Sequence, residues 1–292
     1  MKKPTPLFAA LRRKCVALLV VLCGTLAVIA HAAVAAMVTD LQGKATISDA
    51  GRTSDATILA EIEAGAQVQL EAGATLVVLY LDGGNEYVFK GPAQIAFGPG
   101  QPEVFSGAQP IRRSPALGSG VRLKPVGMGQ GALVMRSPLA NARIRLLSAT
   151  GTRVLETQPE FQWQALQPGL KYQVEIADDT GHSLFEAQVE STSFTLPASL
   201  QLKEGLAYTW EVSARLPDGR KYSSTGDFSV ASAELRAQAG ALRAEAATSV
   251  SARVAYAAWL DQVELKDEAR KHWRALAAER PDDERLKALA QR

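Results

Sequence analysis

From Met37 to about Pro110 the hydrophobic positions fall in short alternating runs, MVTDLQGKATI, ATILAEIEAGAQVQL, ATLVVLYLDGGNEYVF and AQIAF, each bounded by glycine-containing turns. Alternation with a period of two places successive side chains on opposite faces of a strand, and Asp82-Gly83-Gly84 and Gly91-Pro92 supply reversals. The pattern predicts hairpin-connected antiparallel strands. One run breaks the alternation: Leu76-Val77-Val78-Leu79-Tyr80-Leu81 is apolar on both faces, which predicts a strand through the middle of the unit.

Residues 111–135 are rich in Gly and Pro and predict a connection with a boundary near Arg136. From residue 136 to 230 short strands recur at regular spacing, separated by Thr150-Gly151, Pro168-Gly169, Thr180-Gly181, Glu204-Gly205 and Asp218-Gly219. Regular strand and turn spacing of this kind predicts a β-sandwich. Gly-Leu-x-Tyr-x-x-Glu occurs twice, at Gly169 to Glu175 and Gly205 to Glu211, and each copy predicts a strand launched from a glycine turn with Leu and Tyr toward one buried face. Trp163, between Gln162 and Gln164, is read as core filling between two sheets; stacking on a carbohydrate is its functional alternative.

Beyond Ala231 the composition turns alanine-rich with mixed charges, which predicts helices over 231–292. Val254, Ala257, Ala258 and Leu260 line one helix, and Ala269, Trp273 and Leu276 line the next. Pro281-Asp282-Asp283 ends that helix and opens a third, because proline cannot continue the hydrogen-bond ladder and aspartate caps an N-terminus. The expected fold class is mainly β: two β-rich domains, 37–110 and 136–230, followed by a small α-helical region.

Charge changes this picture at the N-terminus. Lys2, Lys3, Arg12, Arg13 and Lys14 precede an apolar run from Cys15 to Ala36 that closes in HAAVAA, the order of a secretory signal with Ala-x-Ala sites such as Ala33-Val34-Ala35. Residues 1–36 are therefore expected to direct export and to be removed, leaving a chain that starts between Ala33 and Met37. The alternative is an inner-membrane anchor formed by residues 15–36, long enough to cross a bilayer. Without the five N-terminal cations, 27 basic residues face 30 acidic ones, a net charge of −3 that gives nucleic acid no electrostatic hold. Both cysteines, Cys15 and Cys23, fall in the same segment, so disulfides and thiolate chemistry are not expected of the exported chain.

Candidate chemistry is sparse, and no catalytic residue, cofactor-binding residue or metal ligand is expected. His31 lies in the signal segment, while His182 and His272 have no second ligand at metal spacing. Asp178-Asp179 before Thr180-Gly181 reads as an Asp-rich hairpin tip more readily than as a calcium loop. GSGVRLKPVGMGQG (118–131) opens no helix and so is no dinucleotide fingerprint. Arg112, Arg113, Arg122 and Lys124 read as a solvated linker face, with an anionic lipid or glycan as the alternative ligand.

Gly43, Leu59 with Ala64-Gly65, Leu76 to Leu81 with Asp82-Gly83, Tyr87-Val88-Phe89 and Gly91-Pro92 together resemble the periplasmic FecR-like domain. In its best-known members that domain senses an outer-membrane transporter and regulates a sigma factor through a cytoplasmic N-terminal segment. Here 14 residues precede the apolar run, too few for an anti-sigma bundle. Pro159, Phe161-Gln162-Trp163, Tyr172 or Tyr208-Thr209-Trp210, and Gly226-Asp227-Phe228-Ser229-Val230 resemble a fibronectin type III or immunoglobulin-like domain. Ala257, Leu260, Ala269, Trp273 and Pro281 resemble a single tetratricopeptide hairpin, which must pack on the sandwich, on residues 231–248 or on a partner. These resemblances imply a non-enzymatic protein-interaction or ligand-sensing module of a Gram-negative-type periplasm, linked to membrane signalling, with an envelope protein partner docking through residues 249–292. A peptidoglycan- or glycan-binding structural role is the second expectation, and an enzyme the third.

Overall fold

The computed structural model describes residues 33–113, 123–125 and 144–292. The signal segment up to residue 32, Arg122, residues 118–122 and 126–131 of the glycine-rich run, and the boundary at Arg136 lie outside the described residues. Among the described residues the chain is mainly β, with antiparallel sheets followed by C-terminal helices, as the hydrophobic pattern predicts.

The first β unit contains two five-stranded sheets. One is built from β10 (Ile111–Arg113), β7 (Glu86–Lys90), β6 (Thr75–Tyr80), β1 (Val34–Gln42) and β4 (Glu61–Glu63), in that order. The other runs β3 (Arg52–Asp55), β2 (Ala45–Asp49), β5 (Gln67–Leu70), β8 (Ala93–Phe97), β9 (Pro102–Ser106). Val38, Leu76, Val78, Tyr80 and Phe89 meet Ile47, Val68, Leu70, Ile95 and Phe97 in one core between them. Chain reversal from β7 to β8 needs glycine at position 91: a Cβ there would lie 1.8 Å from the Glu71 carbonyl oxygen.

β6 takes the central place in its sheet, and its second apolar face is covered by helices. These are α1 (Ala233–Ala246), α2 (Val250–Gln262), α3 (Lys266–Glu279) and α4 (Glu284–Ala290). Met37, Leu79, Ile58 and Leu59 share a core with Val254 to Leu260, Trp273, Leu276, Leu286 and Leu289. Three layers result: sheet, sheet, helices. Ser251 Oγ and Thr39 Oγ1 lie 2.6 Å apart across the buried α2–β1 contact, and Thr39 Oγ1 donates to the Val77 carbonyl at 3.3 Å. Arg280 pairs with Asp40 at 2.5 Å at the rim. α2 is wrapped from the other side by α1, where Tyr256 donates to the Ala239 carbonyl, and by α3. The α2–α3 hairpin thus packs on residues 231–248 and on the first β unit.

The sandwich has a five-stranded sheet, β11 (Thr152–Val154), β17 (Lys221–Val230), β16 (Ala207–Arg215), β13 (Tyr172–Asp178) and β14 (Ser183–Val189), and a pair, β12 (Glu160–Gln162) with β15 (Ser193–Thr195). β11 joins β17 in parallel, and the other neighbours are antiparallel. Trp163 is buried among Tyr172, Trp210 and Phe161, with ring centroids 5.4 Å from Tyr172. Both repeated tyrosines close a corner: Tyr172 Oη accepts from the Leu166 N–H at 3.1 Å, and Tyr208 Oη from the Lys203 N–H at 2.8 Å. Of the paired leucines, Leu170 is buried but Leu206 is 45% exposed, so only the first copy turns its leucine inward as the pattern predicts.

Several edges differ from those the sequence suggests. β1 begins at Val34, inside the segment 1–36, since Val34 and Ala36 already pair with Glu63 and Ile62. Ile111–Arg113, expected in the connection, is an edge strand of the first unit and pairs with β7. Lys124 is tied back to the end of α2, its N–H donating to Gln262 Oε1 and its carbonyl accepting from Gln262 Nε2.

Candidate functional site

The sandwich, the first β unit and the helices meet around the α2–α3 turn. That turn is made by Glu264, a non-glycine residue at φ 65°, whose carbonyl accepts from the Arg153 N–H at 2.7 Å and from Thr152 Oγ1 at 3.1 Å. Asp267 accepts from the Ala149 N–H at 2.7 Å, and Lys266 donates to the Gly151 carbonyl at 3.0 Å. Ala149 (φ 50°) and Leu59 (φ 63°) are also held in the left-handed region. L residues there cost on the order of 1–3 kcal/mol each, and such strain gathers where surrounding contacts over-determine the backbone. Three such residues bracket this junction.

Inside the junction is a cavity of about 320 Å³, at the small end of the roughly 300–1,000 Å³ typical of small-molecule sites. Leu59 closes it from the loop before β4, with its N–H fixed to the Val38 carbonyl at 2.8 Å. Ala258 and Asp261 reach it from α2, Lys266, Arg270 and Trp273 from α3, and Leu289 from α4. Ala258 and Asp261 lie three apart on one helix face, and Lys266, Arg270 and Trp273 follow at four and three, so helix geometry brings these groups to one side.

Asp261 is the titratable group that the cavity perturbs. Burial pushes its carboxyl up, while the Trp273 Nε1–H donated to Oδ2 at 2.9 Å and the cations Arg292, Lys266 and Arg270 oppose that shift without cancelling it. Lys266 is paired with Glu264 at 2.6 Å and Arg270 with Asp267 at 2.7 Å. The cavity offers an apolar body, one carboxyl whose pKa burial raises and three cations, and no serine, threonine, cysteine or histidine lines it.

Residues singled out from sequence sit elsewhere. His272 stands edge-on to Tyr256 with centroids 4.9 Å apart, and burial lowers its pKa below the usual imidazole value. His182 lies at the tip of the β13–β14 hairpin, where Asp178 Oδ1 accepts from Thr180 Oγ1 and from the Thr180 and His182 N–H groups. Those hydrogen bonds, that of Thr180 Oγ1 first, hold the Asp178 carboxyl below its ordinary value. Among the described residues no three His, Cys, Asp or Glu side chains gather to hold a metal ion. Arg112 donates to Asn85 Oδ1 and Arg113 approaches Glu86, so two of the four basic residues near the connection are engaged within the first unit. All four tryptophans are buried, so none presents a ring on the outer surface.

Two other concavities are open. A cleft of about 740 Å³ lies on the outer face of the sandwich, where β13 and β16 place Glu175 and Glu211 opposite one another beside Lys171 and Lys221. A groove of about 710 Å³ runs between Ile58 and the Pro281 turn.

No family model matches the chain, and no curated protein matches it. Among solved structures, CopC from Methylosinus trichosporium OB3b is 20% identical, covers 31% of this chain and 96% of its own, and superposes with a TM-score of 0.24. A likeness of that size carries no argument about fold or function. Among the described residues no helix is long and apolar enough to cross a membrane.

Proposed function

We propose that this is an exported, non-enzymatic protein of a Gram-negative-type periplasm that senses a small ligand and passes the signal to an envelope protein partner. One observation carries the reading: the cavity at Asp261 is walled by the first β unit and by three helices, and the turn beside it is bolted to the sandwich. A molecule held there touches elements from distant parts of the chain, so occupancy changes how firmly they are joined. The secretory character of residues 1–36 and the FecR-like pattern support the location and the sensing role. The partner surface is the outward polar side of residues 249–292, because their apolar side is occupied within the molecule.

A thermal-shift screen of small molecules on the exported chain tests this. Ligands of the cavity raise the melting temperature in proportion to RT ln(1 + [L]/Kd), and Ala258→Leu, which fills the space, removes the shift while the variant itself still melts cooperatively. A screen without a hit, or hits indifferent to Ala258→Leu, would overturn the reading.

A further inference from the structure

We infer that the ligand of the Asp261 cavity is a small amphipathic monoanion, an apolar body carrying one carboxylate-like head. This rests on the cavity being a binding site, as proposed above. Leu59, Ala258, Trp273 and Leu289 give the body an apolar seat. Three of the four ionisable groups lining the space are cations, Lys266, Arg270 and Arg292; the acids that pair with two of them, Glu264 and Asp267, stand outside the lining. Arg270 uses Nη1 on Asp267 and makes only a long contact, 3.4 Å, from Nη2 to the main-chain oxygen of Arg292, so this nitrogen can turn to a ligand oxygen.

Asp261 then sets when the head can enter. Its Oδ2 accepts from Trp273, and the residue lines the space. Ionised, it repels an entering anion; protonated, it donates a hydrogen bond to the head beside the three cations. Burial already pushes this carboxyl toward the protonated form. The other charged groups facing it are Lys266 and Arg270 on α3 and Arg292 beyond α4. Anion binding therefore strengthens as pH falls, through Asp261.

Calorimetric titration of the exported chain with octanoate, octanol and octylamine tests the class, and octanesulfonate, which stays ionised, isolates the pH response. Octanoate binds at neutral pH and octylamine does not. Octanesulfonate binding tightens by about three- to tenfold between about pH 7.5 and about pH 5.5. Asp261→Asn, which keeps an acceptor for Trp273, binds at neutral pH as tightly as the parent does in acid and loses the pH response; Arg292→Ala weakens the anion at both pH values. Octanol or octylamine binding more tightly than octanoate, yet abolished by Ala258→Leu, overturns the anionic class and leaves the cavity a site. Absence of binding by all four probes overturns both readings, and a pH response that survives in Asp261→Asn overturns the role of Asp261.

Discussion

Trp163 and Asp261 show how unequally single residues declare themselves. A tryptophan set after Pro159 and Phe161, ahead of an alternating run, already reads as core, and it lies 1% exposed between Tyr172 and Trp210. Trp163→Ala removes a large ring from a packed core, and thermal or denaturant unfolding is expected to show a loss of about 3–5 kcal/mol. Its indole N–H makes no hydrogen bond, so the value of this residue is packing alone. Asp261 gives no such signal. In AAWLDQVELKDE it looks like an ordinary polar turn of a helix, and only the approach of Trp273 from α3, Leu289 from α4 and Leu59 from the loop before β4 makes it a buried carboxyl. Residue-level chemistry that depends on tertiary neighbours cannot be read from a window of sequence.

At the scale of elements the periodicities carry most of the information. β13 buries Tyr172, Val174 and Ile176 and exposes Gln173, and Asp283 caps α4 by accepting from the Arg285 and Leu286 N–H groups, each as its local pattern implies. Strand ends are less legible, because alanine and valine suit a signal segment and a buried strand equally well. β1 starts at Val34, and Ala35 accepts from the Leu81 N–H at 3.0 Å, so cutting after Ala35 would strip the first rung of the central sheet. Processing is therefore expected after Ala30-His31-Ala32, leaving Ala33 as the first residue, and intact-mass measurement of envelope-localised protein checks it. A start at Ala36 or Met37 would contradict this.

For the whole molecule the sequence shows three compositional regions but not how they join. The two-sided apolarity of β6 was the available clue: a strand with no polar face needs a layer on each side, and here the second layer is the helices. Residues 249–292 are accordingly not separable from the first β unit. Deleting them uncovers Met37, Ile58, Leu59 and Leu79 and leaves Thr39 without Ser251, whereas the sandwich core contains no helical residue. The expected result is loss of cooperative folding in the first β unit with the sandwich intact. Fluorescence can report it, since Trp163 and Trp210 alone remain and both lie in the sandwich; methyl NMR reports the first unit.

The long reach of these helix contacts also fixes an order of events in time. Thr39 meets a residue 212 positions later and Asp40 one 240 positions later, so the layer that seals β1 and β6 appears long after those strands. Contacts of such sequence separation form slowly, because loop closure must precede any gain from them. A chain emerging from its N-terminus holds a half-covered sheet until these helices arrive, and during that interval Met37 and Leu79 are open to any holdase. Delay in completing residues 249–292 thus lengthens the aggregation-prone period of the first unit, although those residues lie far from it in the chain.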